Sequence, residues 1–398
     1  MCTPRKPWWA TDMRQSTLMQ NRESGLSLVE LLVGLVVAGL LATAIFTFFL
    51  QTSQSVGQQS ANGEMWQRGR NALAIMREAI ESAGYGLPSY GQCPNGVVGI
   101  SSLTSQANAL TGITASAQVV SGVDTWQIST VIGGSSFGGA PATTVQSQQG
   151  SNLSVANTGP LNPGDIALIA LPGIGVCVIG QMTNVAGKGT LNPSCTVTGG
   201  GNAQGNGTVV FNSGKGNSTC FQANPNQLFS LVNTTSAGTI GSSAFDGANL
   251  YDLGSQDFLF QTFQIMESPA GSTPTLYMTQ YTGIQATAPT PQPLANGVVD
   301  LQLQYGLGTN GSVQNWVSPS KYTPSTTQQI VAVQLAMLIR SSQYLPNSLS
   351  PATFDLLGNT YTVPTNGGPG CLQGNCRHYQ YHLFQSIIPV RNGIWQGE

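Results

Sequence analysis

Gly25-Leu26-Ser27-Leu28-Val29-Glu30 stands at the front edge of an apolar run that ends near Leu50. No charged residue falls between Leu31 and Leu50, and a bilayer crossing takes about 20 apolar residues. Glu30 is therefore an isolated carboxylate at the mouth of a segment long enough to span a membrane. Such a carboxylate is costly in hydrocarbon and must find a partner or leave it. An ordinary secretory signal has a shorter apolar core and a small-residue cleavage site. Ala42-Thr43-Ala44 would pass for that site, yet the run continues through Phe46, Phe48 and Phe49. A plain signal anchor accounts for the length but leaves Gly25 and Glu30 unexplained.

The flanks orient the segment. Arg5, Lys6, Arg14 and Arg22 precede it, against Asp12 and Glu23, so the amino-terminal side is expected in the cytoplasm and the bulk of the chain outside. Met13 and Met19 offer later starts than Met1; Met19 gives the short leader Met-Gln-Asn-Arg-Glu-Ser-Gly. Residues 1–25 hold four of the 13 Lys and Arg and two of the 15 Asp and Glu, so the remainder is net acidic by about four charges. Without a basic run, that balance excludes a general nucleic-acid binder and a polybasic membrane patch. Only 7% of residues are charged, while 40% are hydrophobic and recur in strand-like blocks, which argues against a disordered chain.

Beyond the span the helical pattern continues. Met65, Ala72, Leu73, Met76, Ile80 and Ala83 fall at helical spacings, with Arg68, Arg70, Glu78 and Glu81 mostly off that stripe. Gly84-Tyr85-Gly86-Leu87-Pro88 closes it. A helix over 26–83 would be roughly 87 Å long at 1.5 Å per residue, with Gly34, Gly39, Gly57 and Gly63 as points where it could bend. The rest reads as β, with strands at 125–132, 165–171, 175–182, 258–265, 276–281, 298–305, 330–340 and 379–390. Val299, Leu301, Leu303 and Tyr305 alternate with Asp300, Gln302 and Gln304, which predicts one buried and one wet face. The unbroken apolar character of 330–338 predicts a central strand. The Gly-, Ser-, Thr- and Asn-rich tracts 133–164 and 186–219 are expected to be long surface loops or insertions.

With Cys2 in the leader, six cysteines remain: Cys93, Cys177, Cys195, Cys220, Cys371 and Cys376. An even number in an exported domain favours disulfides. Cys371 and Cys376 flank a four-residue loop and form the simplest pair; the other four allow three connectivities. Zinc is disfavoured, because CxxC spacing is absent and the histidines are only His378 and His382. Those two would share a strand face without a third ligand. Gly134-Ser135-Ser136-Phe137-Gly138 fits a nucleophile elbow in letters but lacks a following helix. Lys188 and Lys215 lack phosphate-loop spacing. Asp246, Asp252 and Asp257 could offer oxygens to calcium, but without an EF-hand loop they read as surface carboxylates. No catalytic constellation, cofactor site or metal site is expected.

The amino-terminal residues resemble type IV prepilins and type II secretion pseudopilins, in which a leader ends in Gly and Glu is fifth in the mature chain. Leu26 as first mature residue makes Glu30 fifth, although Phe is commoner than Leu at that first place. The resemblance implies cleavage after Gly25 by a prepilin peptidase and N-methylation of Leu26. It also implies that Glu30 neutralises the amino terminus of a neighbouring subunit during assembly, two opposite charges pairing where neither is tolerated alone.

The segment 333–341, the ending Arg377-His378-Tyr379…Ile388-Pro389-Val390-Arg391-Asn392 and the early Gly84-Tyr85-Gly86 resemble PilW-type minor pilins. That resemblance implies an α+β pilin-like fold, a long helix on an antiparallel β-rich domain. The expected divisions are a leader (1–25), a membrane or filament-core helix half (26–50), an amphipathic half (51–84) and a globular domain (85–398). It further implies incorporation at or near the tip of a type IV pilus, priming of assembly, and a part in adhesion and twitching motility. The implied partners are the major pilin, other minor pilins, the inner-membrane assembly platform and a tip adhesin. The implied location is the inner membrane with the domain periplasmic, then the pilus tip at the cell surface. Two alternatives stand beside it: a J-type pseudopilin of type II secretion, and a membrane-anchored periplasmic binding or adhesive protein outside any filament.

Overall fold

The computed structural model describes residues 27–88, 97–98, 112–133, 140–149, 152–171, 175, 177–200, 207–211, 220, 242–283, 289–309, 311–323, 328–346, 348–365, 367, 370–371 and 375–391. The chain divides into two units, Met1–Gln58 and Gln59–Glu398. A single α-helix, Leu28–Glu81, supplies the described part of the first unit and the start of the second. It runs without interruption through Gly34, Gly39, Gly57 and Gly63. Gly84 and Gly86 then take left-handed φ values of 81° and 74° and end it, a conformation open to glycine at little steric cost. Gly84 N–H donates to Val131 O at 2.8 Å, so the helix exit is stitched directly to a strand.

In the second unit the helical stripe Met65, Ala72, Met76, Ala79, Ile80 and Ala83 is buried in one cluster with residues of two sheets. A four-stranded antiparallel sheet has the order Ser312–Val317, Val298–Thr309, Gln329–Arg340, Tyr381–Pro389. Its register pairs Leu303 with Leu335 and Met337 with Phe384, and Leu301, Leu303, Leu335, Met337 and Phe384 all enter the helix core. A five-stranded antiparallel sheet has the order Gln292–Asn296, Thr275–Thr282, Leu259–Met266, Val123–Ile132, Ile113–Val120, and sends in Ile113, Ile128, Phe263, Ile265 and Leu276. Gly297 (φ 83°) turns the chain from one sheet to the other, and a Cβ there would collide with Arg340 O. Fold class is as expected: a long helix followed by a strand-rich, antiparallel domain.

Two expectations are corrected. The strand Val298–Thr309 has no wet face, since Asp300 and Gln302 are only 2% and 3% exposed. The hairpin Thr353–Leu356/Asn359–Thr362 packs on that side, where Val299, Ala336, Leu338, Leu356, Tyr361 and Val363 form a second apolar layer. Cover supplied from 50 residues downstream leaves no trace in local alternation. The polar tracts are likewise more than loops: they contain Thr143–Gln149, Asn152–Val155, Gly189–Leu191, Val197–Thr198 and Gly207–Val210. With Cys177–Gln181, Ile166–Ala170, Asn249–Asp252, Asn184–Val185 and Val97–Val98 they make a ten-stranded sheet, antiparallel except where Val97–Val98 pairs with Cys177–Gln181. Val145, Leu153, Val155, Leu161, Val185, Val209 and Phe211 bury a core of their own there. Val145, Leu153 and Val155 are spaced among Thr, Gln, Asn and Ser, so composition masks what alternation supplies.

Candidate functional site: the apolar helix and the closing strand

Glu30 lies in the first turn of the helix, where orphan N–H groups and the helix dipole favour negative charge. From Leu31 to Gly63 no charged residue follows it. Every described residue from Ser27 to Ser53 is exposed, including Leu35, Phe48 and Phe49 at 67–70%. The hydroxyls of Thr43 and Thr47 fold back onto helix carbonyls, Thr43 to Gly39 and Leu40 and Thr47 to Thr43 and Ala44, at 2.9–3.0 Å. Those hydroxyls thus need no external partner, and Glu30 is the strongest polar group this face presents. An uncovered apolar helix of this length suits lipid or other helices. Gly25 and Leu26 lie outside the described residues.

The closing strand is fastened to the amphipathic helix half at three points. Gly69 lies beneath the Phe384 ring, where a Cβ would collide with the ring edge. Trp66 packs against His382 with ring centroids 3.9 Å apart and planes tilted by 41°, and meets Phe384 edge-on at 5.2 Å, with the Arg70 guanidinium 5.1 Å from the indole centre. Burial lowers the His382 pKa. Finally Glu81 takes Arg391 and Arg77, each at 2.8 Å. Asn392 lies outside the described residues.

The histidine expectation is corrected: the strand begins at Tyr381, so His378 sits in a 3₁₀ turn, Cys376–His378, with Nδ1 3.0 Å from Ser348 O. His382 faces the helix instead. Among the described residues no group of three or more His, Cys, Asp or Glu could hold a metal. Asp252 is not a surface carboxylate. It is buried beside Asp165, and burial, then the Asp165 charge, push its pKa up to about 7. Lys188 Nζ caps Gly159 O and stands 3.4 Å from Asn162 Oδ1, a loop anchor. Residues 134–138 and Lys215 lie outside the described residues.

Cys371 is bonded to Cys376, and Cys195 to Cys220. Cys177 is disulfide-bonded as well, while Cys93 lies outside the described residues.

Sequence reasoning missed two buried polar centres. Gln302 Nε2 donates to Asp124 O (2.7 Å) and Asp300 Oδ1 (2.9 Å), while its Oε1 accepts from Trp126 Nε1 (3.0 Å) and Asn359 Nδ2 (3.1 Å). That fully used amide locks hairpin to sheet. Arg340, 3% exposed, is the other. A lone Asp and a lone Arg inside apolar strands were the available signals.

Residues 262–392 match the family model described as Type IV Pilus-assembly protein W, and residues 20–46 match the prokaryotic N-terminal methylation motif. Among solved structures, a type IV-like pilin from Thermus thermophilus matches at 16% identity, over 34% of this chain and 68% of that one, with a TM-score of 0.19. No curated protein matches.

Proposed function

We propose, from the premise that this chain is a type IV pilin of the PilW kind, that it serves as a minor pilin and primes filament assembly from a place near the tip. The carrying observation is Glu30: one carboxylate on the first turn of a helix that carries no further charge over 31–63 and whose described residues over 27–53 are all exposed. In a bundle of such helices the favourable partner for it is a positive charge at the same depth. The amino group created by cleavage after Gly25 supplies one, four residues before Glu30, on the neighbouring subunit. N-methylation of Leu26 leaves that charge in place. The role is structural, and the helix anchors the chain in the inner membrane before assembly, with the second unit periplasmic.

The ten-stranded sheet supports the tip position, because its bulk would crowd lateral neighbours along a shaft. Major pilin, fellow minor pilins, the peptidase, the platform and a tip adhesin are the partners this reading requires.

Mass spectrometry of the amino-terminal peptide, after expression with the cognate peptidase, tests the premise. A methylated chain starting at Leu26 is expected; a start after Ala44, or retention of Arg22, sinks the reading. Glu30→Ala should be cleaved normally yet enter filaments at least about tenfold less well. Normal incorporation would rule out the pairing role.

A further inference from the structure

We infer that the Cys371–Cys376 disulfide is a thiol–disulfide exchange site, poised by Arg340 for reaction with the dithiol of an exported oxidoreductase. Arg340 Nη1 donates to Cys371 Sγ at 2.7 Å and stands 3.9 Å from Cys376 Sγ, while Nη2 holds Gly370 O at 3.2 Å. The guanidinium is fixed over the Tyr379 ring at 4.6 Å. Val299, Ala336, Leu338, Leu356 and Val363 enclose Cys376 in apolar surroundings. A thiolate formed there would ordinarily be expensive, but a buried cation beside both sulfurs reverses that cost.

Cys371 is partly exposed and Cys376 only 2% exposed, so the order of events is set. The incoming thiolate attacks Cys371 Sγ; the Cys371–Cys376 bond breaks, and Cys376 leaves as a thiolate against Arg340. The second thiol of the dithiol then attacks its partner sulfur in the mixed disulfide and expels Cys371. Two electrons and two protons pass from the dithiol, which ends as a disulfide. Among the described residues, Arg340 meets the pair directly, Tyr379 lies under its guanidinium, Tyr361 and Tyr381 feel its charge, and Asp300 acts on Tyr361. Nothing in this chemistry depends on filament entry. A second bridge, Cys195–Cys220, has Cys220 Sγ 3.7 Å from Asn192 O.

The test is a titration of the purified full chain with graded ratios of reduced to oxidised dithiothreitol, trapped by alkylation and read by peptide mass spectrometry. Cys371–Cys376 should open at a ratio at least about tenfold lower than Cys195–Cys220. Arg340→Gln should raise its midpoint about tenfold without moving Cys195–Cys220. Equal midpoints in the native chain, or an unmoved midpoint in a folded Arg340→Gln chain, overturn the inference. If Arg340→Gln does not fold, the reduced native chain decides. Cys376 should then react with iodoacetamide at pH 7 several-fold faster after brief opening of the hairpin in mild urea than the peptide 368–380 does. A rate no higher than the peptide's overturns it.

Discussion

The core beneath the amphipathic helix and the core among the polar strands bury side chains equally well but are assembled differently. In the first, a helix stripe meets long strands such as Gln329–Arg340, ten of whose twelve residues are buried. In the second, strands of two to seven residues each contribute one or two apolar side chains. The first is a few large surfaces pressed together; the second is many small ones held in register by backbone hydrogen bonds. Loss of one contact in a large surface is borne by the whole unit, whereas short strands can open piecemeal.

Two substitutions test that contrast directly. Phe263→Ala empties a fully buried site in the helix core and should cost about 3–5 kcal/mol, lowering the melting temperature of the whole second unit. Leu153→Ala, equally buried in the polar-strand core, should cost about 2–4 kcal/mol. Amide exchange should then quicken in 143–155 and 207–210 while 329–340 stays protected. Uniform quickening would show the two cores to be one cooperative block.

Buried carboxylates sharpen the comparison by pH. Burial raises the Asp300 pKa to about 6, well above its ordinary value of 3.8. The folded state therefore binds the proton more tightly than the unfolded chain. Stability from this group is full below about pH 4 and declines as pH rises towards 6, by about 2–3 kcal/mol. Asp300→Asn keeps an acceptor for Gln302 and should flatten that slope in denaturant titrations. In the polar-strand region Asp252 is pushed to about 7, with Asp165 also raised. Asp252→Asn should remove a decline that extends one pH unit further. A slope unchanged by either substitution would mean the carboxylates are hydrated.

The smallest effect belongs to Arg391→Ala. Its side chain is 71% exposed, so loss of the Glu81 ion pair should change stability by under about 1 kcal/mol, measured by urea melts.

Legibility from sequence followed the same division. Val331, Val333, Leu335, Met337 and Ile339 announce their strand because alternation and apolar density coincide there. The match of residues 20–46 to the N-terminal methylation motif was foreseeable because that motif is local. Val145 and Leu153 were hidden, since isolated apolar residues among Thr, Gln, Asn and Ser carry little density. Asp300, Gln302 and Arg340 were hidden for another reason: the partners of Gln302 and Arg340 include Asp124, Trp126, Asn359, Cys371 and Cys376, and pairings at that separation are not written in any one window.

The Arg391–Glu81 contact, for all its small energy, has a geometric consequence. The chain leaves the helix at residue 82 and returns to the same helix turn at residue 391, so some three hundred residues form one excursion that opens and closes on a single helix end. Strands added within that excursion leave its two ends where they are, and the ten-stranded sheet lies wholly inside it.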